Sequence, residues 1–578
     1  MDGERARGRP PRLDLVAVAV PVLLLLAGAW SRRWVSDDGF INLRIVEQLW
    51  AGNGPVWNAG ERVETGTSPL WLALLAGIGG AARFVDLEWV AVVLGITCAL
   101  AGLTAAGLAA RRLHPSAGRP LVPLGALVVA AVPAFWDFAS SGLETGLSLL
   151  WLGVGGLGLV VTVVRGPGAD PSGRRAVGTA AILGLGPLIR PDLALLALPL
   201  LAALAVGCRT LPRRHLAVVV LAGGTPAVAY QLFRMAYFAA LVPNTAFAKE
   251  GGLSSWSAGW AYAADHVGTW RLWYPAAAVL VAAVACARTR GLDGGRALVI
   301  GGVVLGAVLH ALYVVRVGGD FMHARLLLPA TFALALPWAV VPARRVPVAA
   351  ALALVPWAAL AALSWEPPGQ PGAGPADGVV DERAYYVALA GRPNPVTAAD
   401  FARVPYAVGG RAARDASGSG VGRLTFQVGT PGDRAGWVEA SDPVARFGVA
   451  VDNVGVFGYL AGPDVVAIDL RGLGDPVTSR FRLTGPRGRP GHEKLASPAW
   501  VLGRLATPGA VTPPGIGVAP EEVRAARAAV ACGALADVLD GITDPLTPSR
   551  AGANLVLAVR TFSLRIDADP LGAAAALC

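Results

Sequence analysis

Apolar Ala/Leu/Val runs recur along the first part of the chain and cease at Trp365. They fall near 13–30, 67–110, 120–136, 143–165, 176–189, 192–208, 215–238, 273–288, 297–316, 325–341 and 347–364. Each approaches the roughly 20 apolar residues that a membrane-spanning helix needs. The run 67–110 carries Arg83, Asp86 and Glu88 in its middle and reads as one crossing plus a re-entrant or interfacial piece. Past Trp365 the pattern changes. EPPGQPGAGPADG has the composition of a Pro/Gly linker. Short alternating segments follow (VGRLTFQV, VAVDNVGVFGYL, DVVAIDLRGL), then a helical stretch from Glu521 to Leu539. The expected fold is an α-helical polytopic membrane protein. About eleven transmembrane helices occupy residues 1–365, and a soluble, loop-rich mixed α/β domain occupies 366–578.

Composition agrees with that division. Of 578 residues 54% are apolar and 15% charged, against about a quarter charged in soluble proteins. The net charge of +10 suggests a nucleic-acid binder until it is divided by position. Residues 366–578 hold 20 basic and 21 acidic side chains, leaving 29 and 18 before them. The surplus lies in loops of the membrane half, where cations report orientation. Nucleic acid is not implied. The stretches RARGRPPR, RRLHPSAGR, VRGPGADPSGRR, CRTLPRRH, ARTRGLDGGR and PARRVP fall at every second turn. They predict a cytoplasmic N-terminus on an uncleaved first helix, a plasma-membrane location and an extracytoplasmic C-terminal half. Asn53 and Ser417 are then outside, Ser172 and Asp293 inside. No Cys/His spacing marks a metal site; Cys98, Cys208 and Cys286 sit in or beside apolar runs. Cys532 and Cys578 share the half assigned to an oxidising exterior and are expected to form a disulfide.

Under this threading the remaining connectors gather on the external face: residues 31–66, SSGLET (140–145), IRPD (189–192), 242–271 and GGDFMHAR (318–325). They carry carboxylates, and ionisable groups at a bilayer edge are costly unless they face water or one another. In SDDGFINLRIVEQLW, Ser36 caps a helix on which Ile41, Ile45 and Leu49 recur at i, i+4 and i+8, an amphipathic pattern suited to the membrane surface. Asp37 and Asp38 read either as first-turn acids that complement the helix dipole or as reacting carboxylates. Their place directly after the first membrane helix favours the second reading. Of 49 cations only Lys249 and Lys494 are not Arg, so a compact ammonium is expected to matter at both.

The ordered set of the DD pair, GNGPVWNAGERVETGTSPLW, SGLET, RPD, PNTAFAK, GGDFMHARLLLP, AGPDVVAIDLRGLGDP and RPGHEK resembles the actinobacterial GT-C membrane glycosyltransferases. Within them it is most similar to the terminal β-(1→2)-arabinofuranosyltransferases of cell-wall arabinan synthesis. The resemblance implies decaprenyl-phosphoryl arabinofuranose, a polyprenyl-phosphate donor, as the sugar source, and an arabinan end as acceptor. Transfer from a lipid phosphate needs a carboxylate to take the acceptor proton and cations for the departing phosphate. The resemblance assigns Asp37 or Asp38 as base, and Glu61, Glu64 and Glu144 to holding sugar hydroxyls or orienting the base. Arg190, Lys249, His323 and Arg325 fall to the phosphate, with Asp192 beside it in the RPD motif and Asp320 as a sugar-binding acid. His492, Glu493 and Lys494 become acceptor contacts. A divalent cation on Asp37, Asp38, Asp320 and His323 is left open, as is the route to net retention: a carboxylate nucleophile or a front-face path. Two other readings stand beside this one. A polyprenyl-phosphate mannosyltransferase would differ in the sugar consumed. A lipid-linked sugar transporter would place ionisable groups mid-span and show repeated halves, whereas here the acids lie in loops and no repeat is visible.

Overall fold

The computed structural model describes residues 12–114, 118–164, 173–290, 293–367, 378–418, 423–427, 435–440, 447–485, 488–510 and 516–578. The N-terminal Arg5–Arg9 stretch, most of the Pro/Gly linker and Ser172 lie outside them. The apolar half opens with α1 (Arg12–Ser31), α2 (Asp37–Trp50), α3 (Pro69–Ala81) and α4 (Leu87–Leu113). Strand β1 (Leu121–Pro123) precedes α5 (Gly125–Ala131), α6 (Pro133–Ser140), α7 (Thr145–Val163), α8 (Arg174–Gly184) and α9 (Gly186–Ile189). Next come α10 (Ala194–Gly207), α11 (Arg213–Phe238), α12 (Asn244–Ala248), α13 (Trp256–Thr269), α14 (Trp273–Arg290) and α15 (Gly294–Val317). The half closes with α16 (Leu328–Ala335), β2 (Val340–Pro342), which pairs antiparallel with β1, and α17 (Arg345–Leu363).

Among the described residues α4, α7, α11, α15 and α17 are long and apolar enough to cross a membrane; α13 and α14, bent by 76°, make a sixth span if counted together. The eleven apolar runs thus do not map onto eleven full-length helices. Proline accounts for much of the difference, because it cannot donate to the helical ladder and biases the preceding residue away from helix. The run 120–136 breaks at an extended Val132 before Pro133, and the runs 176–189 and 192–208 are parted at an extended Arg190 before Pro191. The run 67–110 resolves into the 13-residue α3 and the 27-residue α4. Residues 242–271, read as a connector, hold α12 and α13. α4 and α7 cross at backbone contact, as small residues permit in membranes: a Cβ on Gly153 would stand 2.2 Å from the Gly102 carbonyl oxygen.

Beyond the linker come α18 (Glu382–Ala390), α19 (Pro405–Ser417), β3 (Arg423–Gln427), β4 (Ala435–Glu439), β5 (Phe447–Val451), α20 (Gly455–Ala461) and β6 (Val466–Asp469). The strands form a mixed sheet of order β4-β3-β5-β6, with only the β3–β4 pair antiparallel. Helices α21 (Pro498–Leu505), α22 (Pro520–Val530), α23 (Gly533–Thr543), α24 (Pro548–Arg560) and α25 (Pro570–Leu577) finish the chain. The single helix expected over Glu521–Leu539 is two, because Cys532 is extended and Gly533 has φ +57°. Cys532 is disulfide-bonded to Cys578 there.

The two halves share a core. Tyr386, Phe401, Val404 and Val456 pack into the same cluster as the membrane helices. Ile41, Ile45 and Trp57 of the first loop pack instead with Phe447, Val449 and Phe457. α2 is therefore not a surface helix. Ser36 caps it as expected, its Oγ accepting from the Gly39 N–H at 3.0 Å, but most of its residues are buried between the halves. Arg44, fully buried, lies over the Trp57 ring at 4.7 Å. It donates to the carbonyls of Trp57, Gly458, Gly462 and Val465 and to Asn58 Oδ1.

Candidate active site

Five separated segments of the membrane half bring charges to one cavity of about 430 Å³, and the C-terminal half adds Arg565. α2 supplies Asp38, the α7 N-cap Glu144, the turn before α10 Arg190 and Asp192, the end of α12 Lys249, and the loop after α15 Asp320 and Arg325. They form a continuous ion-pair chain. Asp192 receives Arg190 Nε at 2.9 Å and the His310 Nε2 contact at 2.8 Å. Glu144 is shared by Arg190 Nη1 at 3.2 Å and Arg325 Nη2 at 3.4 Å. Arg325 Nη1 also reaches Asp320 at 3.4 Å and Asp38 at 3.6 Å, and Lys249 Nζ stands 3.9 Å from Asp320. Burial alone would raise the Glu144 and Asp320 carboxyls. Arg325 and Arg190 outweigh it at Glu144, and Lys249 with the same two arginines outweighs it at Asp320, so both stay below the ordinary range.

A second cavity of about 380 Å³ adjoins the first, and Asp38, Ile41, Lys249, Leu473 and Pro490 line both. Its further walls come largely from the C-terminal half: Tyr385, Tyr386, Tyr406, Asp452, Arg471, Arg489 and His492, with Glu382. His492 meets Phe321 edge to face at 5.4 Å. Burial and then the nearby Arg489 push its imidazole down to about 4. Glu382 is buried, its Oε2 has no partner, and burial followed by Asp38 and Asp37 holds its carboxyl well above the ordinary range. The sequence reading did not single out Glu382. It lies just past the linker in a segment with no motif, and only the shared core carries it to α2.

The paired aspartates part company. Asp37 caps α20 from outside: its Oδ1 and Oδ2 accept the N–H groups of Val456 at 2.7 Å and Gly455 at 3.0 Å. The approach demands glycine, since a Cβ on Gly455 would lie 1.9 Å from the Asp37 carbonyl oxygen. Burial pushes the Asp37 carboxyl up to about 7 against those two donors. Asp38 faces the junction of the cavities.

Other sequence-derived candidates lie elsewhere. Glu61 pairs with Arg504, which also holds Asp475 at 2.6 Å. Glu64 accepts from Arg234 Nε at 2.6 Å and from the Tyr230 hydroxyl at 2.6 Å. Lys494, buried, donates to Glu250 at 2.6 Å and to the carbonyls of Ser479 and Phe247; Glu250 in turn takes Arg565, a wall residue of the first cavity. His323 pairs through Nδ1 with Asp265 and meets Trp270 edge to face, so it does not join Asp37, Asp38 and Asp320. Among the described residues no three His, Cys, Asp or Glu side chains are grouped to hold a metal ion.

The arrangement can seat an anion against Arg190, Lys249 and Arg325 on one side of Asp38 and a polyhydroxyl chain against tyrosines and cations on the other. Comparison with known proteins gives the family. Residues 435–574 match the AftB family C-terminal domain. The chain is 35% identical to a terminal β-(1→2)-arabinofuranosyltransferase of Mycobacterium tuberculosis, over 96% of both chains. It is 33% identical to a protein of the same name from Corynebacterium glutamicum, over 96% of this chain and 86% of that one. No solved structure matches.

Proposed function

The chain belongs to the terminal β-(1→2)-arabinofuranosyltransferase family, and from that premise we propose that its two cavities hold the two substrates of one transfer. The protein is a membrane glycosyltransferase that moves arabinofuranose in cell-wall arabinan synthesis; mannose transfer and lipid-linked sugar transport are not favoured. The donor, decaprenyl-phosphoryl arabinofuranose, occupies the first cavity, with its phosphate toward Lys249, Arg190 and Arg325. The arabinan end occupies the second, among Tyr385, Tyr386, Tyr406 and Arg489. The spans are about eleven, several of them broken, with the N-terminus cytoplasmic and the domain beyond Trp365 extracytoplasmic.

One observation carries this reading: Asp38 lines both cavities. Its side chain is 21% exposed, against 2% for Glu144 and 3% for Asp320, and Asp37 spends both oxygens on backbone donors. Asp38 is thus the open carboxylate where the two cavities meet, since Asp452, 58% exposed, lines only the second. In the step it serves, the bond from the anomeric carbon to the phosphate oxygen breaks, and its electron pair leaves on the phosphate beside the cations. The acceptor oxygen bonds to that carbon, and its proton passes to Asp38. With a single open carboxylate at the junction, we favour the front-face path to the β product over a covalent intermediate. The test is to incubate the full-length protein in membranes with labelled decaprenyl-phosphoryl arabinofuranose and a synthetic arabinan acceptor, then analyse linkages. Terminal β-(1→2)-arabinofuranose is expected; labelled product from polyprenyl-phosphoryl mannose alone would overturn the reading.

A further inference from the structure

Among the described residues, helix α24 presents an apolar edge left largely uncovered at Val556 and Val559. Val556 and Val559 are 69% and 59% exposed, and Phe562 continues the same edge just past the helix end. The opposite face is occupied. Leu557 and Ala558 are buried, Leu557 beside Ala239, Ile542 and Val63. The buried Asn554 donates to the Gly541 carbonyl and, at 3.0 Å, to that of Ala236 in the last turn of α11. At a rise of about 1.5 Å per residue, Val556 and Val559 lie only about 3 and 7 Å along the helix axis from that anchor.

α11 states what surrounds it. It is among the helices long and apolar enough to cross a membrane, and little of it is buried in protein. Val218, Leu221, Val228 and Leu232 form an exposed apolar stripe along it. The stripe ends at the exposed Phe233, which packs ring against ring with the half-buried Tyr230 and Tyr237, an aromatic cluster of the kind that marks a membrane–water boundary. The exposed edge of α24 therefore continues the lipid-facing surface of α11 at the level of that cluster. A helix with an apolar edge and a polar remainder, here with Arg550 and Arg560 paired to Asp544 and Asp537 at its ends, can lie in an interface.

We propose that α24 is an interfacial helix, its Val556–Val559 edge seated among the phospholipid acyl chains of the leaflet in which α11 ends. The inference rests on α11 spanning the membrane and is independent of the sugar transferred. One consequence does rest on the donor reading above. Phe562 lines the first cavity and lies 6.2 Å from Phe247, so α24 carries the lipid surface to the mouth of the donor site, and a lipid-linked sugar reaches it without its chain crossing water.

The test places single cysteines at Val556, Val559, Val228 and Arg524 in the full chain, with Cys98, Cys208 and Cys286 replaced by serine and the disulfide kept. Each is labelled with an environment-sensitive fluorophore in phospholipid nanodiscs. All four sites are exposed, so labelling leaves the core intact. Nitroxide-bearing acyl chains should quench positions 556 and 559 as strongly as 228, and aqueous iodide should quench only 524. Positions 556 and 559 behaving like 524 would overturn the proposal, as would acyl-chain quenching of 524 equal to that at 556. Failure of lipid quenching at 228 would instead remove α11 from the membrane, and the proposal with it.

Discussion

Residues 37 and 38 are both aspartate, but successive helix positions point about 100° apart, and that rotation separates their tasks. Asp38→Asn removes the charge and basicity of the carboxylate open to both cavities, so transfer should fall at least about a hundredfold with the melting temperature unchanged. Asp37→Asn instead turns an amide N–H toward a backbone N–H of α20, and the unpaired donor should cost about 1–3 kcal/mol of stability. Its pH dependence has a definite sign. The Asp37 carboxyl titrates near 7 in the fold and near 3.8 as an isolated group. It holds its proton more tightly when folded, so its contribution is full below about pH 4 and is lost as pH rises through about 7. The stability difference between wild type and Asp37→Asn should therefore shrink across that window; a difference constant with pH would show that Asp37 stays ionised in the fold. Among the cations, Arg190→Ala leaves Asp192 and Glu144 buried with less compensation and should destabilise by about 3–5 kcal/mol. Lys249, 30% exposed, should leave stability unchanged and raise KM for the lipid donor when replaced by Ala. Charged loop motifs made Asp38, Glu144, Arg190, Asp192, Lys249, Asp320 and Arg325 legible as a group. Pairing partners were not legible: Glu61 meets Arg504 from 443 positions away, Lys494 meets Glu250 from 244, and no local pattern encodes such encounters.

At the scale of elements, hydrophobic periodicity located helices better than it fixed their lengths or surroundings. The repeat on α2 marked a true amphipathic helix. Its apolar face meets β5 and α20 rather than lipid, a distinction that depends on a sheet some 400 positions later. Arg44 was invisible as a structural residue because one arginine in a loop helix looks solvated. Arg44→Ala should cost at least about 3 kcal/mol, since several buried carbonyls lose their donor, and should loosen the C-terminal half from α2, read as new protease cleavage within residues 440–470. Gly153→Leu should prevent α4 and α7 from closing, lowering folded yield in membranes, whereas Gly178→Leu, with open space around it, should be tolerated. Reduction of the Cys532–Cys578 disulfide, which closes a loop of 46 positions, should lower stability by about 2–4 kcal/mol, measured by denaturant unfolding with and without reductant.

For the whole molecule, the charge asymmetry of loops bears on orientation, and the packing of the halves bears independently on which parts share a side. Cationic connectors predict Asp293 in the cytoplasm and Asn53 outside. Packing says nothing about which side is which. It does require that Asn53, three residues beyond α2, and Ser417, at the end of α19, share a side, because α2 is bonded through Arg44 to Gly458 and Gly462, and α19 packs on α20. Single cysteines at Asn53, Ser417 and Asp293, in a chain whose only other cysteines are the disulfide pair, separate the two arguments. An impermeant maleimide on intact cells should label 53 and 417, and should label 293 only after permeabilisation. Labelling of 293 alone from outside would invert the orientation and leave the shared core standing. Labelling of 53 without 417, with both reactive after permeabilisation, would break the core itself, and with it the proposal that Asp38 stands between a donor held by the membrane half and an acceptor held by the other.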